Sequence, residues 1–206
     1  MERGAMAKAG SRLAGLVWIW SVLAIVLSLG LGAAYLWFGS GFGLAAWPLL
    51  LLAIVLLWSA ARAFPRVGVE GAFLTALVGT IVLFLAVYQV MLPQMRALWI
   101  SERLAQVARD EGCPAEKIAS FPYQEPSLVF LVGTKINYIL PDAAAELLKQ
   151  GGCALAFIDT RFHTYFETKA SEIGLKYHAV ATLSGFTYNG GRQVAITVYR
   201  SDEAAP

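Results

Sequence analysis

Carboxylates are almost missing from the first hundred residues of this 206-residue chain, where Glu2 and Glu70 are the only two. Cations are sparse there too: Arg3, Lys8, Arg12, Arg62, Arg66 and Arg96. No Asp, Glu, Lys or His interrupts the middle of any long apolar run. Ionisable groups inside a membrane mark ion and proton pathways, so their absence argues against a self-contained channel or transporter. Cysteine and histidine number two each. They are too few and too scattered for a zinc site. No glycine-rich phosphate loop, no Gly-x-Ser-x-Gly elbow and no paired-carboxylate spacing is found. The second half carries more Asp and Glu than Lys and Arg. It has no basic patch interleaved with aromatics, which argues against nucleic acid as a partner.

What the chain has in excess is apolar residues, at 58% against about 45–50% in an ordinary soluble domain. The excess lies before residue 94. Three runs there, roughly Leu13–Phe38, Leu44–Phe64 and Gly71–Leu92, reach the length of about 20 residues that a bilayer-spanning helix needs. The first follows a basic segment, as a signal peptide would. Its apolar run is too long for a signal h-region, and two further runs follow, so a retained helix is expected. Arg3, Lys8 and Arg12 precede the first run, and Arg62 and Arg66 lie between the second and third. The loop Gly39–Gly43 has no charge. Cytoplasmic loops carry the excess of Lys and Arg, so the expected N-terminus is cytoplasmic. The part after the third helix is then expected to face outward, into the periplasm if the membrane is the inner membrane of a bacterium. Trp18, Trp20, Trp37, Trp47, Trp58 and Trp99 fall mostly near span ends, as in an interfacial belt.

From residue 94 the pattern becomes that of a globular domain. Met95–Glu111 reads as a helix with Ile100, Leu104 and Val107 on one face, stopped by Gly112. Strands are expected at Lys117–Phe121, Ile136–Leu140, Cys153–Thr160, Tyr177–Tyr188 and Gln193–Arg200. Helices are expected at Ala143–Gln150, with Asp142 as N-cap, and at Thr164–Ile173. Asn189-Gly190 between two alternating runs is a hairpin signal. The stretch Pro126–Val132 reads as a short buried helix, with Pro126 in its first turn and Gly133 at its end, although its apolar run also suits a strand. The expected fold is three transmembrane helices plus a small C-terminal α/β domain with a mixed sheet ending in a β-hairpin. The boundaries are a cytoplasmic N-terminus over 1–12, the membrane region over 13–93, the α/β domain over 94–201 and a tail over 202–206.

Four stretches carry a resemblance: Tyr123-Gln-Glu-Pro-Ser-Leu-Val-Phe-Leu-Val-Gly-Thr134, Gly151-Gly-Cys-Ala-Leu-Ala-Phe157, Leu183-Ser-Gly-Phe-Thr-Tyr-Asn-Gly-Gly-Arg192 and Ile196-Thr-Val-Tyr-Arg200. In order and spacing they resemble the C-terminal part of bacterial membrane glycosyltransferases of the GT-C fold, relatives of 4-amino-4-deoxy-L-arabinose transferase and protein O-mannosyltransferase. The resemblance extends over roughly residues 13–201. It implies a polyprenyl-phosphate-sugar donor, transfer on the outer side of the membrane and a C-terminal domain on that side. It also allows a divalent cation in the intact enzyme; no cofactor is identified in this chain. Family members are much longer, with catalytic acids in the first outward loop. Here that loop, Gly39-Ser-Gly-Phe-Gly43, has no carboxylate, so no catalytic residue is assigned. The expected reading is a C-terminal segment without the catalytic half: a gene fragment, a split subunit or a truncated chain. A separate catalytic half is then an expected partner, beside membrane lipid and the donor. The alternative is a non-catalytic, membrane-anchored periplasmic interaction or glycan-binding module.

Ligands of open α/β sheets bind beyond the carboxyl ends of strands. Tyr123 and Glu125 follow one expected strand, and Asp159, Arg161 and His163 follow another. If the two strands are parallel neighbours, the five form one crevice, with Arg161 suited to a phosphate or sugar carboxylate. The plainer alternative makes Glu125 and Asp159 helix-terminus or turn residues paired with Arg161. Arg96, beside Trp99 at the end of the third span, is a candidate contact for a lipid-linked phosphate or an ordinary helix anchor. Cys113 and Cys153 each precede a strand, at the opposite edge of the sheet. They are expected to be either a disulfide, which an oxidising periplasm permits, or two small buried thiols.

Overall fold

A computed structural model describes residues 2–38, 46–187 and 191–203. The chain forms two compact units, Met1–Arg96 and Ala97–Pro206. The loop Gly39–Gly43 and the turn residues Asn189 and Gly190 lie outside the described residues.

The first unit is helical. α1 spans Glu2–Phe38, α2 spans Ala46–Leu85, a π-helical stretch covers Ala86–Met91, and the short α3 covers Leu92–Gln94. Three segments are long and apolar enough to cross a membrane: Trp18–Trp37, Ala46–Ala63 and Glu70–Gln94. Arg62 and Arg66 were expected in a loop, but helix continues past both, broken only at Gly68. Its φ of 72° lies in the left-handed region, where glycine has no Cβ penalty. Ala46, Ala53, Leu57 and Ala60 form a fully buried stripe on α2, and Gly32 of α1 admits the Trp47 ring. Small residues at helix contacts let backbones approach closely where burial from water gives no drive. Tyr35, itself buried, donates its hydroxyl hydrogen bond to Gln94 Oε1.

The second unit is a three-layer α/β sandwich. After a 3-10 turn at Arg96–Leu98 comes α4, Ile100–Glu111. The helix expected from Met95 starts later because the chain still turns at Trp99. β1 (Ile118–Phe121), β2 (Leu155–Asp159), β3 (Tyr177–Phe186) and β4 (Gln193–Ser201) form one sheet in the order β1-β2-β4-β3. β1 and β2 are parallel, with Phe121 opposite Ile158, and both other pairings are antiparallel. Strand residues alternate between faces. Leu155 and Phe157 therefore join Ile100, Leu104 and Leu128 in one core. Ala156 and Ile158 join Leu148, Phe166 and Tyr199 in the other. The first core is roofed by α4 and α5 (Pro126–Val132), the second by α6 (Pro141–Lys149) and α7 (His163–Glu172).

Two expectations fail here. Ile136–Leu140 forms no strand; only Asn137 bridges to Ala119. The Asn137 N–H donates to the Ile118 carbonyl, and the Asn137 carbonyl accepts from the Ser120 N–H. Asp142 is not an N-cap either. Leu140 holds that position with Pro141 following, and Asp142 sits in the first turn, where its charge suits the helix N-terminus.

Candidate functional site

A cavity of about 300 Å³ opens at the carboxyl ends of the parallel pair. The first wall is the segment after β1, Pro122 to Glu125. It starts with a cis peptide at Phe121–Pro122. Ser120 Oγ donates to the Tyr123 carbonyl at 2.7 Å. The Tyr123 side chain is buried, its hydroxyl 2.7 Å from Ser101 Oγ, which lies 2.8 Å from Ser127 Oγ. Glu125 is buried at the N-cap of α5, where Pro126 supplies the preset φ of a first helical residue.

Asp159 closes β2 and forms the floor with Arg161. Its carboxylate is 3% exposed. It accepts from the Arg161 backbone N–H at 3.0 Å, from Nε at 2.9 Å and from a terminal guanidinium nitrogen at 2.7 Å. Burial pushes Asp159 up, but the hydrogen bonds and charge of Arg161 outweigh it and hold the carboxyl below its ordinary range. Arg161 is in turn held more firmly protonated by those hydrogen bonds and that charge. Its guanidinium stays half in solvent, with donors left over for a ligand.

The remaining wall was not expected from sequence. β4 runs antiparallel to β2, so its first residues stand beside the end of β2. This brings Thr187, Arg192 and Val194 of the hairpin to the cavity. The Thr187 N–H donates to the Arg192 carbonyl at 2.9 Å. Arg192 is exposed, and its guanidinium pairs with no carboxylate among the described residues. Arg192 ends a stretch already singled out by its resemblance. What sequence could not supply was the central placement of β4, which depends on non-local pairing.

Four of the five crevice candidates, Tyr123, Glu125, Asp159 and Arg161, thus line one cavity. His163 does not. The 3-10 turn Thr160–Phe162 redirects the chain, and His163 begins α7 on the other side of the sheet. Its ring stacks on Tyr199 at 5.6 Å and its Nε2 lies 3.3 Å from Glu167. Burial pushes that Tyr199 hydroxyl up to about 12. Arg96 opens the 3-10 turn and is exposed. Cys113 and Cys153 form a disulfide with Cα atoms 5.0 Å apart, at the ends of β1 and β2 away from the cavity. Among the described residues no three His, Cys, Asp or Glu side chains converge as cation ligands. Among the described residues that line the cavity, the carboxylate of Asp159 is already matched by Arg161, and Glu125 is the other acid. That donor set does not suit a divalent cation.

Two carboxylates and two guanidiniums balance in charge around the hollow. Such a set can hold a small polyhydroxylated or anionic ligand: the arginines grip oxyanions and the acids accept from hydroxyls. Asp159 itself is not a general acid here, since Arg161 keeps it ionised near neutrality. No family model, no curated protein and no solved structure matches the chain.

Proposed function

We propose that the chain is the C-terminal part of a polyprenyl-phosphate-sugar-dependent membrane glycosyltransferase, with its α/β domain in the periplasm. One observation carries the reading. The stretches that resemble that family converge on one cavity: the first supplies Tyr123 and Glu125, and the third supplies Thr187 and Arg192. The second builds the strand that ends at Asp159. In this reading the domain grips the sugar or phosphate of donor or acceptor through Arg192 and the outward edge of Arg161. Bond-making belongs to a catalytic half that brings its own carboxylate, since the stretch 39–43 has none.

That same carboxylate-free stretch favours a second reading, a membrane-anchored module that binds glycan or a partner without catalysis. The test is immunoprecipitation from native membranes with an antibody against residues 97–203, followed by assay of the precipitate with a radiolabelled polyprenyl-phosphate sugar. Sugar transfer by the precipitate, weakened in the Arg192→Ala variant, is the expected result. A precipitate with neither transfer nor a catalytic polypeptide overturns the first reading in favour of the second.

A further inference from the structure

α5 is built inside out at its end. Leu128 is fully buried and Val129 packs beside it in the core. The next residues turn away from the domain: Phe130 is 89% exposed and Leu131 39%. Leu131 lines a groove of about 310 Å³ together with Leu98 and Trp99, and Glu102 and Arg109 supply its charge. Among the described residues of Ala97–Pro206, the large exposed apolar side chains are Trp99, Phe130, Leu131, Leu140 and Tyr165. Three of these five thus belong to this groove or adjoin it in α5.

We infer that this groove and Phe130 form a second membrane attachment, seated at the boundary between lipid headgroups and acyl chains. The inference rests on the three long helices crossing a bilayer and is independent of glycosyl transfer. The occupant follows from chain length. The third apolar segment ends at Gln94, and Trp99 comes five positions later. Five residues reach at most about 17 Å, and the 3-10 turn at Arg96–Leu98 shortens this, since it advances only about 2 Å per residue. The headgroup layer is about 5–8 Å deep on each side. Trp99 therefore lies in or just outside that layer, where tryptophan is enriched. Leu98 and Leu131 share its groove, so Phe130, next to Leu131, is held within reach of the same layer. An apolar ring left almost wholly in water costs free energy; burying it among acyl chains removes that cost.

The test uses the full chain in lipid nanodiscs. A nitroxide is attached at Phe130→Cys and, for comparison, at Tyr165→Cys on α7, across the sheet. The expected label at 130 collides readily with oxygen and is shielded from a water-soluble nickel chelate, while the label at 165 shows the reverse. Equal nickel access at both sites overturns the inference. A benzoylphenylalanine at position 130 adds no thiol beside the native disulfide and gives an independent reading in native membranes. Ultraviolet cross-linking to phospholipid supports the inference; cross-linking to a protein instead overturns it.

Discussion

The Tyr123 hydroxyl and Ser101 Oγ lie 2.7 Å apart, and Ser101 in turn lies 2.8 Å from Ser127 Oγ. Three hydroxyls thus join the wall of the Asp159–Arg161 cavity to α4 and to the first turn of α5. Ser101 is the shared node. Tyr123→Phe removes the bond to Ser101 and should cost about 1 kcal/mol. Ser101→Ala removes two at once inside the buried network and should cost about 2 kcal/mol. Chemical denaturation of both variants checks the order; equal costs would remove Ser101 from its central role.

Acid should expose the Asp159–Arg161 pair. Burial pushes Asp159 up, but Arg161 outweighs it and holds the folded value below the unfolded one. The stabilisation is therefore complete above the ordinary carboxylate value of about 3.9 and is lost as pH falls through the folded value. Arg161→Ala leaves burial opposed only by the backbone N–H of residue 161, which moves the folded value upward. That variant should melt well below the parent near neutrality, and the gap should narrow as acid protonates Asp159. Asp159→Asn should flatten the acid dependence. Thermal melts across this range decide it.

Arg192 tests the site without touching the fold. It is exposed and pairs with no carboxylate among the described residues. Arg192→Ala should leave unfolding within about 0.5 kcal/mol of the parent. Retention of any glycan or polyprenyl-phosphate-sugar ligand should drop at least about tenfold, the loss of one charge-assisted contact. Unchanged retention would remove the hairpin from the site.

Gly185 has no room for a side chain. A Cβ there would stand 2.5 Å from the Ala97 carbonyl and 3.3 Å from Ile100 Cβ. The nearer obstacle is backbone, which yields poorly. Gly185→Ala should destabilise the α/β domain by about 1–3 kcal/mol. Denaturant unfolding monitored in the Ala97–Pro206 unit measures it, with an unshifted midpoint as the contrary result.

Removing the disulfide should be costlier. The bond joins residues 40 apart, and closing a loop of that size restricts the unfolded chain by about 4 kcal/mol. Cys113→Ser with Cys153→Ser, or reductant on the parent, should lower stability by that order. Mass mapping without reduction should recover the two cysteines in one linked peptide pair.

Local chemistry explains what could be read in advance. Pro126 and Gly133 bound α5 in sequence as in structure. The continuous apolar run of β2 matches a strand buried along its whole length. Parallel pairing of β1 and β2 then brings Tyr123 and Glu125 beside Asp159 and Arg161. What stayed hidden depended on distant partners. Ile136–Leu140 looks like strand and makes a single bridge, through Asn137. His163 follows Asp159 and Arg161 closely in sequence, but a three-residue turn sends it to Tyr199. Arg192 could be placed only once β4 was known to sit between β2 and β3.

The bond between Cys113 and Cys153 also makes the intervening segment a closed covalent ring. That ring contains β1, the Tyr123–Glu125 wall, α5 and α6. A protease that cuts once inside it severs the backbone without freeing either end. Both new termini remain tethered beside the sheet, so the nicked chain migrates intact until a reductant is added. α4 and the cavity-bearing sheet are in this way fastened together twice, by peptide and by sulfur.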